Sequence, residues 1–207
     1  MFIVLEGPDG SGKSTQARLL YEALTGGRAQ GHSVILTREP GGTPAAEAIR
    51  SLVLNPAFDG LDDRTEALLF AAARAEHVAH VIRPALQQGS WVVCDRYIDS
   101  SIAYQGFGRN LGVERVRELS MWATGDLLPD LTLVLDLDAA TGIQRVGERD
   151  RLEREPQEYH DRVRMAFVEL ALHDPERYRV ISAAGTIEEV AARIRLAVDD
   201  FIAGNPA

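Results

Sequence analysis

Apolar residues fall along this chain in short unbroken runs, separated by longer stretches of helical period. Four runs read as strands: Phe2–Glu6, Ser33–Thr37, Trp91–Asp95 and Leu131–Leu137, with a weaker fifth at Arg179–Ser182. Three of the first four lack polar–apolar alternation and are rich in Val, Ile and Leu, the pattern of strands buried on both faces. The intervening segments with helical spacing are Thr15–Leu24, Pro44–Leu54, Arg64–Gln87, Glu114–Thr124, Ala139–Val146, Glu158–Leu172 and Ile187–Ile202. Strands alternating with helices predict an α/β fold, a five-stranded parallel sheet with helices on both faces. In such a sheet ligands bind beyond the carboxyl ends of the strands. No repeat, low-complexity tract or long linker interrupts the pattern, so residues 1–207 are expected to form one domain.

Composition narrows the partners. Of 207 residues, 45% are hydrophobic and 26% charged, ordinary for a globular chain that builds its core without disulfides. The single cysteine, Cys94, allows no intrachain bridge and reads as a small buried hydrophobe. No basic segment precedes an apolar stretch at the N-terminus, and no apolar run approaches bilayer length. A cytoplasmic location without membrane association is the expectation. The net charge of −9 argues against nucleic acid as a partner, because phosphate backbones demand a basic surface. Yet Arg145, Arg149, Arg151, Arg154, Arg162 and Arg164 fall within twenty residues. That cluster suits a small anionic ligand in a cleft, or else a helix face laced with Glu–Arg pairs.

Gly7-Pro8-Asp9-Gly10-Ser11-Gly12-Lys13-Ser14 fits the G-x-x-x-x-G-K-[ST] pattern between a strand and a helix, with Thr15 next. Glycines let successive N–H groups turn inward on an anion, and the helix N-terminus adds positive potential. Lys13 then reaches the β and γ phosphates of ATP, and the Ser14 hydroxyl meets Mg²⁺. The third strand ends in Asp95-Arg96. A carboxylate there either holds Mg²⁺ with Ser14 or caps the helix that starts near Ile98. Arg96 is placed to clamp a phosphate. Arg38, after the second strand, is placed for a second anion or is a surface arginine in an ordinary turn, and Thr43 is a candidate helix cap. Phe70 and Arg74, four residues apart on a long helix, share a face. They could stack on and hydrogen-bond a base, or Phe70 could simply be core.

Together these segments resemble thymidylate kinase, over nearly the whole chain. The resemblance rests on Glu6–Thr15, Thr37–Arg50, Leu69–His77, Asp95–Arg109 and Arg145–Glu155. Asp95-Arg96-Tyr97-Ile98-Asp99-Ser100-Ser101-Ile102-Ala103-Tyr104-Gln105-Gly106 is the most specific stretch. It implies a P-loop nucleoside monophosphate kinase, usually homodimeric, with a short mobile lid near residues 141–156. By that resemblance Asp9 approaches the acceptor deoxyribose, and Arg38 and Arg96 hold the acceptor phosphate. Phe70 stacks on thymine and Arg74 hydrogen-bonds it. Ser100, Ser101, Tyr104 and Gln105 complete the pocket, Tyr104 against a ribose 2′-hydroxyl. Some family members carry an arginine in the phosphate loop at the place of Gly10; others supply it from the lid. Gly10 places this chain with the second, bacterial type. Arg151, then Arg149, is favoured for stabilising the transferring group, with Arg145 stacking on adenine and Ser182–Thr186 passing that ring.

The expected reaction is in-line transfer of the γ-phosphoryl group of ATP to thymidine monophosphate, on the path to dTTP. The acceptor is already anionic, so the burden falls on positioning and charge neutralisation rather than on a base. An alternative is a deoxynucleoside kinase that uses Glu39 as base toward a 5′-hydroxyl. A nucleotide-dependent switch is a third reading, although no Asn-Lys-x-Asp guanine motif is present.

Overall fold

The structure is a computed structural model that describes residues 1–205. Five parallel strands form one sheet in the order β2-β3-β1-β4-β5. They are β1 (Phe2–Glu6), β2 (Val34–Arg38), β3 (Trp91–Asp95), β4 (Leu131–Asp136) and β5 (Tyr178–Ser182). The helices are α1 (Lys13–Ala23), α2 (Pro44–Val53), α3 (Asp63–His77), α4 (Arg83–Gln87), α5 (Ile98–Ser101), α6 (Val113–Thr124), α7 (Ala139–Arg145), α8 (Gln157–His173) and α9 (Ile187–Gly204). Among the described residues no helix is long and apolar enough to cross a membrane.

The unbroken apolar runs have the reason expected of them. β1 and β3 are buried at every position. Ile3 and Leu5 face a core shared with Ala17 and Leu20 of α1 and Ile194 and Val198 of α9. Phe2 and Val4 face the opposite layer, with Ile82 and Tyr97. A third cluster, beneath α8, gathers Ile102, Val163 and Phe167. Each fully buried aliphatic side chain contributes roughly 1.5–3 kcal/mol, so the central strands anchor the fold.

The long helix expected over Arg64–Gln87 is interrupted. α3 ends at His77, one π-helical turn covers Val78–Ile82, and α4 resumes at Arg83. Pro84 explains the break: without an N–H it cannot donate to the carbonyl four residues back, and its ring crowds that carbonyl. Another π-helical stretch, Ile102–Gly108, continues α5 and carries Tyr104 and Gln105. Such widened turns recur where side chains are re-aimed into a site. Thr43 caps α2 as expected, its hydroxyl accepting the Ala46 N–H at 3.1 Å.

Register sets the functional edge. Arg38 lies opposite Asp95, and Asp95 opposite Leu5, so three strands end level. The residues that follow each strand are thereby delivered to one rim. Between α7 and α8, residues 146–156 form neither helix nor strand.

Candidate active site

A single cavity of about 700 Å³ runs along this rim. Its wall includes Asp9, Lys13, Ser14, Arg38, Asp95 and Arg96, together with Phe70, Arg74, Ser100, Ser101, Tyr104 and Gln105. The phosphate loop and the candidate acceptor arginines therefore open on the same space.

The loop after β1 curls around Lys13. The Lys13 ammonium donates to the Pro8 carbonyl at 2.7 Å and the Ser11 hydroxyl at 3.3 Å. Burial, with Arg96 nearby, pushes this ammonium down to about 8. The first turn of α1 holds no acidic residue that would compete for the helix's positive end. Gly10 has φ +72° and packs its backbone directly on Gly142 of α7.

Asp95 does not cap a helix. Its Oδ2 accepts the Ser14 hydroxyl at 2.5 Å, and its Oδ1 is buried without a partner among the described residues. A hydroxyl and a carboxylate with an unmet lone pair fit a hard divalent cation such as Mg²⁺. The helix start that Asp95 might have capped is served from β1 instead. Glu6 accepts the Tyr97 N–H at 2.8 Å, the Ser100 N–H at 3.1 Å and the Ser100 hydroxyl at 2.6 Å. Burial, reinforced by Asp99, pushes Glu6 up to about 8 despite those donors.

Arg96, held at φ +72°, reaches back over the phosphate loop. It pairs with Asp9 and donates to the Gly7 carbonyl at 3.2 Å and the Ser100 hydroxyl at 3.1 Å. Tyr104 closes this group, its hydroxyl donating to Asp9 at 2.7 Å. Burial alone would raise Asp9, but Arg96 and Lys13 outweigh it and hold the carboxyl below its ordinary value.

Arg38 is half exposed and makes a two-pronged pair with Glu47, both contacts at 2.9 Å. Arg50, which the sequence reading did not single out as a site residue, also lines the cavity and donates to the Pro40 carbonyl at 3.0 Å. Burial and then Arg38 depress it, the mark of guanidinium groups converging on a space for an anion. Its position two turns after the Thr43 cap was the available signal. Arg74 is fully buried and rigid. It donates to Glu39 at 2.7 Å, Ser101 at 3.0 Å, Ser120 at 3.4 Å and the Tyr97 carbonyl at 3.0 Å. One N–H of its five remains for a ligand. Phe70 serves both readings, packing on the cluster beneath α8 and lining the cavity. Glu39, the alternative base, is engaged at both oxygens, by Arg74 and by His77 at 3.1 Å.

The lid arginines differ from expectation. Arg151 lies off the cavity wall, buried, pairing with Glu66 at 2.6 Å and donating to the Val53 carbonyl at 3.0 Å. In this structure the buried ion pair holds the guanidinium away from the cavity. Arg149 is exposed, with one long 3.5 Å bond to the Ile143 carbonyl, and also lies off the wall. Arg145 is on it. So are Ala183, Gly185 and Thr186, where the last strand's loop passes, and Asp150, Leu152 and Glu153 of the lid segment, which sequence spacing did not mark.

Comparison with known proteins agrees with this geometry. The family model for thymidylate kinase matches residues 5–194. A thymidylate kinase of Leifsonia xyli subsp. xyli is 53% identical over 203 residues, covering 96% of this chain and 94% of that protein. One of Symbiobacterium thermophilum is 49% identical, covering 98% and 94%. The crystal structure of thymidylate kinase from Ehrlichia chaffeensis superposes with a TM-score of 0.80 at 36% identity, covering 96% of this chain and 98% of that one.

The depressed Lys13 has a kinetic signature. Above about pH 8 the free protein loses this charge, so kcat/KM for the nucleoside triphosphate should hold up to that pH and fall up to tenfold per unit beyond it. A pH–rate profile flat to pH 9.5 would contradict the assignment.

Proposed function

The chain belongs to the thymidylate kinase family, and from that premise we infer that it transfers the γ-phosphoryl group of ATP to thymidine monophosphate. The observation that carries the reading is the shared cavity: Lys13, Arg38 and Arg96 line one continuous space. Two polyanions can be held end to end only where cations line the whole path. Lys13 and the phosphate loop hold the donor. Arg38, Arg50 and Arg96 hold the acceptor phosphate, Asp9 and Tyr104 meet the deoxyribose, and Phe70 and Arg74 receive the base. Mg²⁺ at Ser14 and Asp95 would supply further neutralisation of donor oxygens. The rival, a nucleoside kinase, is disfavoured because Glu39 is committed to Arg74 and His77. With labelled ATP, product should form from thymidine monophosphate and not from thymidine; product from thymidine alone would overturn this reading.

For the lid, the geometry favours a division of labour. Arg151 anchors the segment, while Arg149 and Arg145, free of any ion pair among the described residues, serve the nucleotides. Arg149 covers the transferring phosphoryl group and Arg145 stacks on adenine. Arg149→Ala should lower kcat by ~10³ or more with little change in acceptor KM, as for other arginines that cover a transferring phosphate. Steady-state rates near wild type would remove Arg149 from this role.

We also propose a homodimer. Leu52 of α2, Leu68 of α3 and Trp122 of α6 are exposed on helices that pack side by side, Trp122 at 82%. Exposed Ala45, Ala48 and Ala72 extend that face with small side chains, which suits close approach of a second copy. Sedimentation should show a dimer for the natural chain and a monomer for Trp122→Glu; a monomeric natural chain would refute the proposal. We further propose a cytoplasmic location, which accords with nucleotide substrates.

A further inference from the structure

Glu66 is fully buried, yet it does not touch the cavity. Its carboxylate receives four donors. Oε1 accepts Gln105 Nε2 at 2.8 Å and Arg109 Nε at 3.3 Å. Oε2 accepts Arg109 Nη2 at 3.0 Å and Arg151 Nη2 at 2.6 Å. A carboxylate has about four lone-pair sites, so this one is saturated.

The donors come from two places with different tasks. Gln105 lines the acceptor pocket, and one N–H of its amide is committed to Glu66, which fixes the orientation of the amide. Arg151 belongs to the lid segment, which is docked further by its N–H on the Leu54 carbonyl at 3.1 Å. Leu54 and the adjoining Leu152 and Glu153 line the cavity. Arg109 spans the gap, pairing with Glu155 at 2.6 Å beyond the lid turn and with Asp63 at 3.4 Å on α3.

We propose that Glu66 is a positioning residue that couples the two nucleotide sites, by holding the acceptor-pocket Gln105 and the lid's Arg151 on one buried carboxylate. The inference rests on the phosphoryl-transfer reading and deepens it. Withdrawal of either donor leaves a fully buried carboxylate oxygen short of a hydrogen bond, and the remaining donors must rearrange to cover it. The place of Gln105 and the place of the lid are thus two readouts of one hydrogen-bond state. A nucleotide that fixes either one lowers the cost of ordering the other, and linkage makes the effect reciprocal. The phosphate-loop contacts of the donor do not pass through Glu66, so affinity for ATP alone is set elsewhere.

The test is calorimetric. Kd for thymidine monophosphate and for a non-hydrolysable ATP analogue is measured singly, then each in the presence of saturating amounts of the other, with the full chain. The natural protein should show mutual tightening of about 5–150-fold, the ordinary range of coupling between sites. In Glu66→Gln, which keeps the volume and removes the charge, the tightening should shrink to within about twofold, with the Kd for the analogue alone changed little. A merely structural role would weaken the binary affinities and leave their ratio intact. Arg151→Lys provides the same reading without altering the buried carboxylate, and should lose at least fivefold of the coupling. Coupling retained in either variant, or absent from the natural protein, overturns this inference alone. Failure of the natural protein to bind thymidine monophosphate at all overturns the proposed acceptor, and this inference with it.

Discussion

Four arginines at and beside the acceptor end of the rim are matched to carboxylates, and the site depends on that pairing. Arg96 has Asp9, Arg38 has Glu47, Arg74 has Glu39, and the lid's Arg151 has Glu66. Without them, guanidinium groups converging on one cavity would repel one another. At 4 Å and an effective dielectric of 20 that repulsion is on the order of 4 kcal/mol per pair. The pairs are not equivalent. Arg38–Glu47 is half exposed, where an ion pair contributes about 0–1 kcal/mol, so an incoming anion would open it at little cost. Arg74–Glu39 is enclosed, and breaking it would leave a stranded charge. Solvent exposure thus separates a cation whose partner could be exchanged from one that is locked into the pocket wall.

The rim owes its geometry to the level strand ends and to Glu6. That carboxyl, last residue of the first strand, holds the start of the helix that carries Ser100 and, through its π-helical continuation, Tyr104. It also sits one residue before the phosphate loop. The loop is therefore tied to Ser100 through the Glu6 side chain and to Arg96 directly, at Gly7 and Asp9.

Much of this was legible in order along the chain. β1 and β3 have the bounds that their apolar runs predicted, because a strand buried on both faces leaves no ambiguity of register. β2, an edge strand with exposed positions, begins and ends one residue later than expected. The phosphate loop and the Asp95-Arg96 pair stood out because their chemistry is local, set by neighbours within a few residues. Arg151 is the instructive departure. Its spacing in an arginine-rich lid suggested a group free to reach the nucleotide, but its partner Glu66 lies 85 residues away. Burial and long-range charge pairing do not register in local spacing, and the same holds for Glu6 and Ser100. Arg50 escaped notice because a helix arginine three residues after Glu47 reads as half of a solvated pair, while its place on the cavity wall is set by tertiary packing.

The backbone contact between Gly10 and Gly142 has an architectural consequence. A side chain at either position would drive into a carbonyl of the opposite segment, Gly142 from one side and Asp9 from the other. The phosphate loop in this arrangement has no room to carry an arginine of its own as long as α7 rests upon it. If some family members do arm this loop with an arginine, as the resemblance implies, they would have to seat the segment equivalent to α7 elsewhere. A chain built like this one would have to bring any further guanidinium from outside the loop.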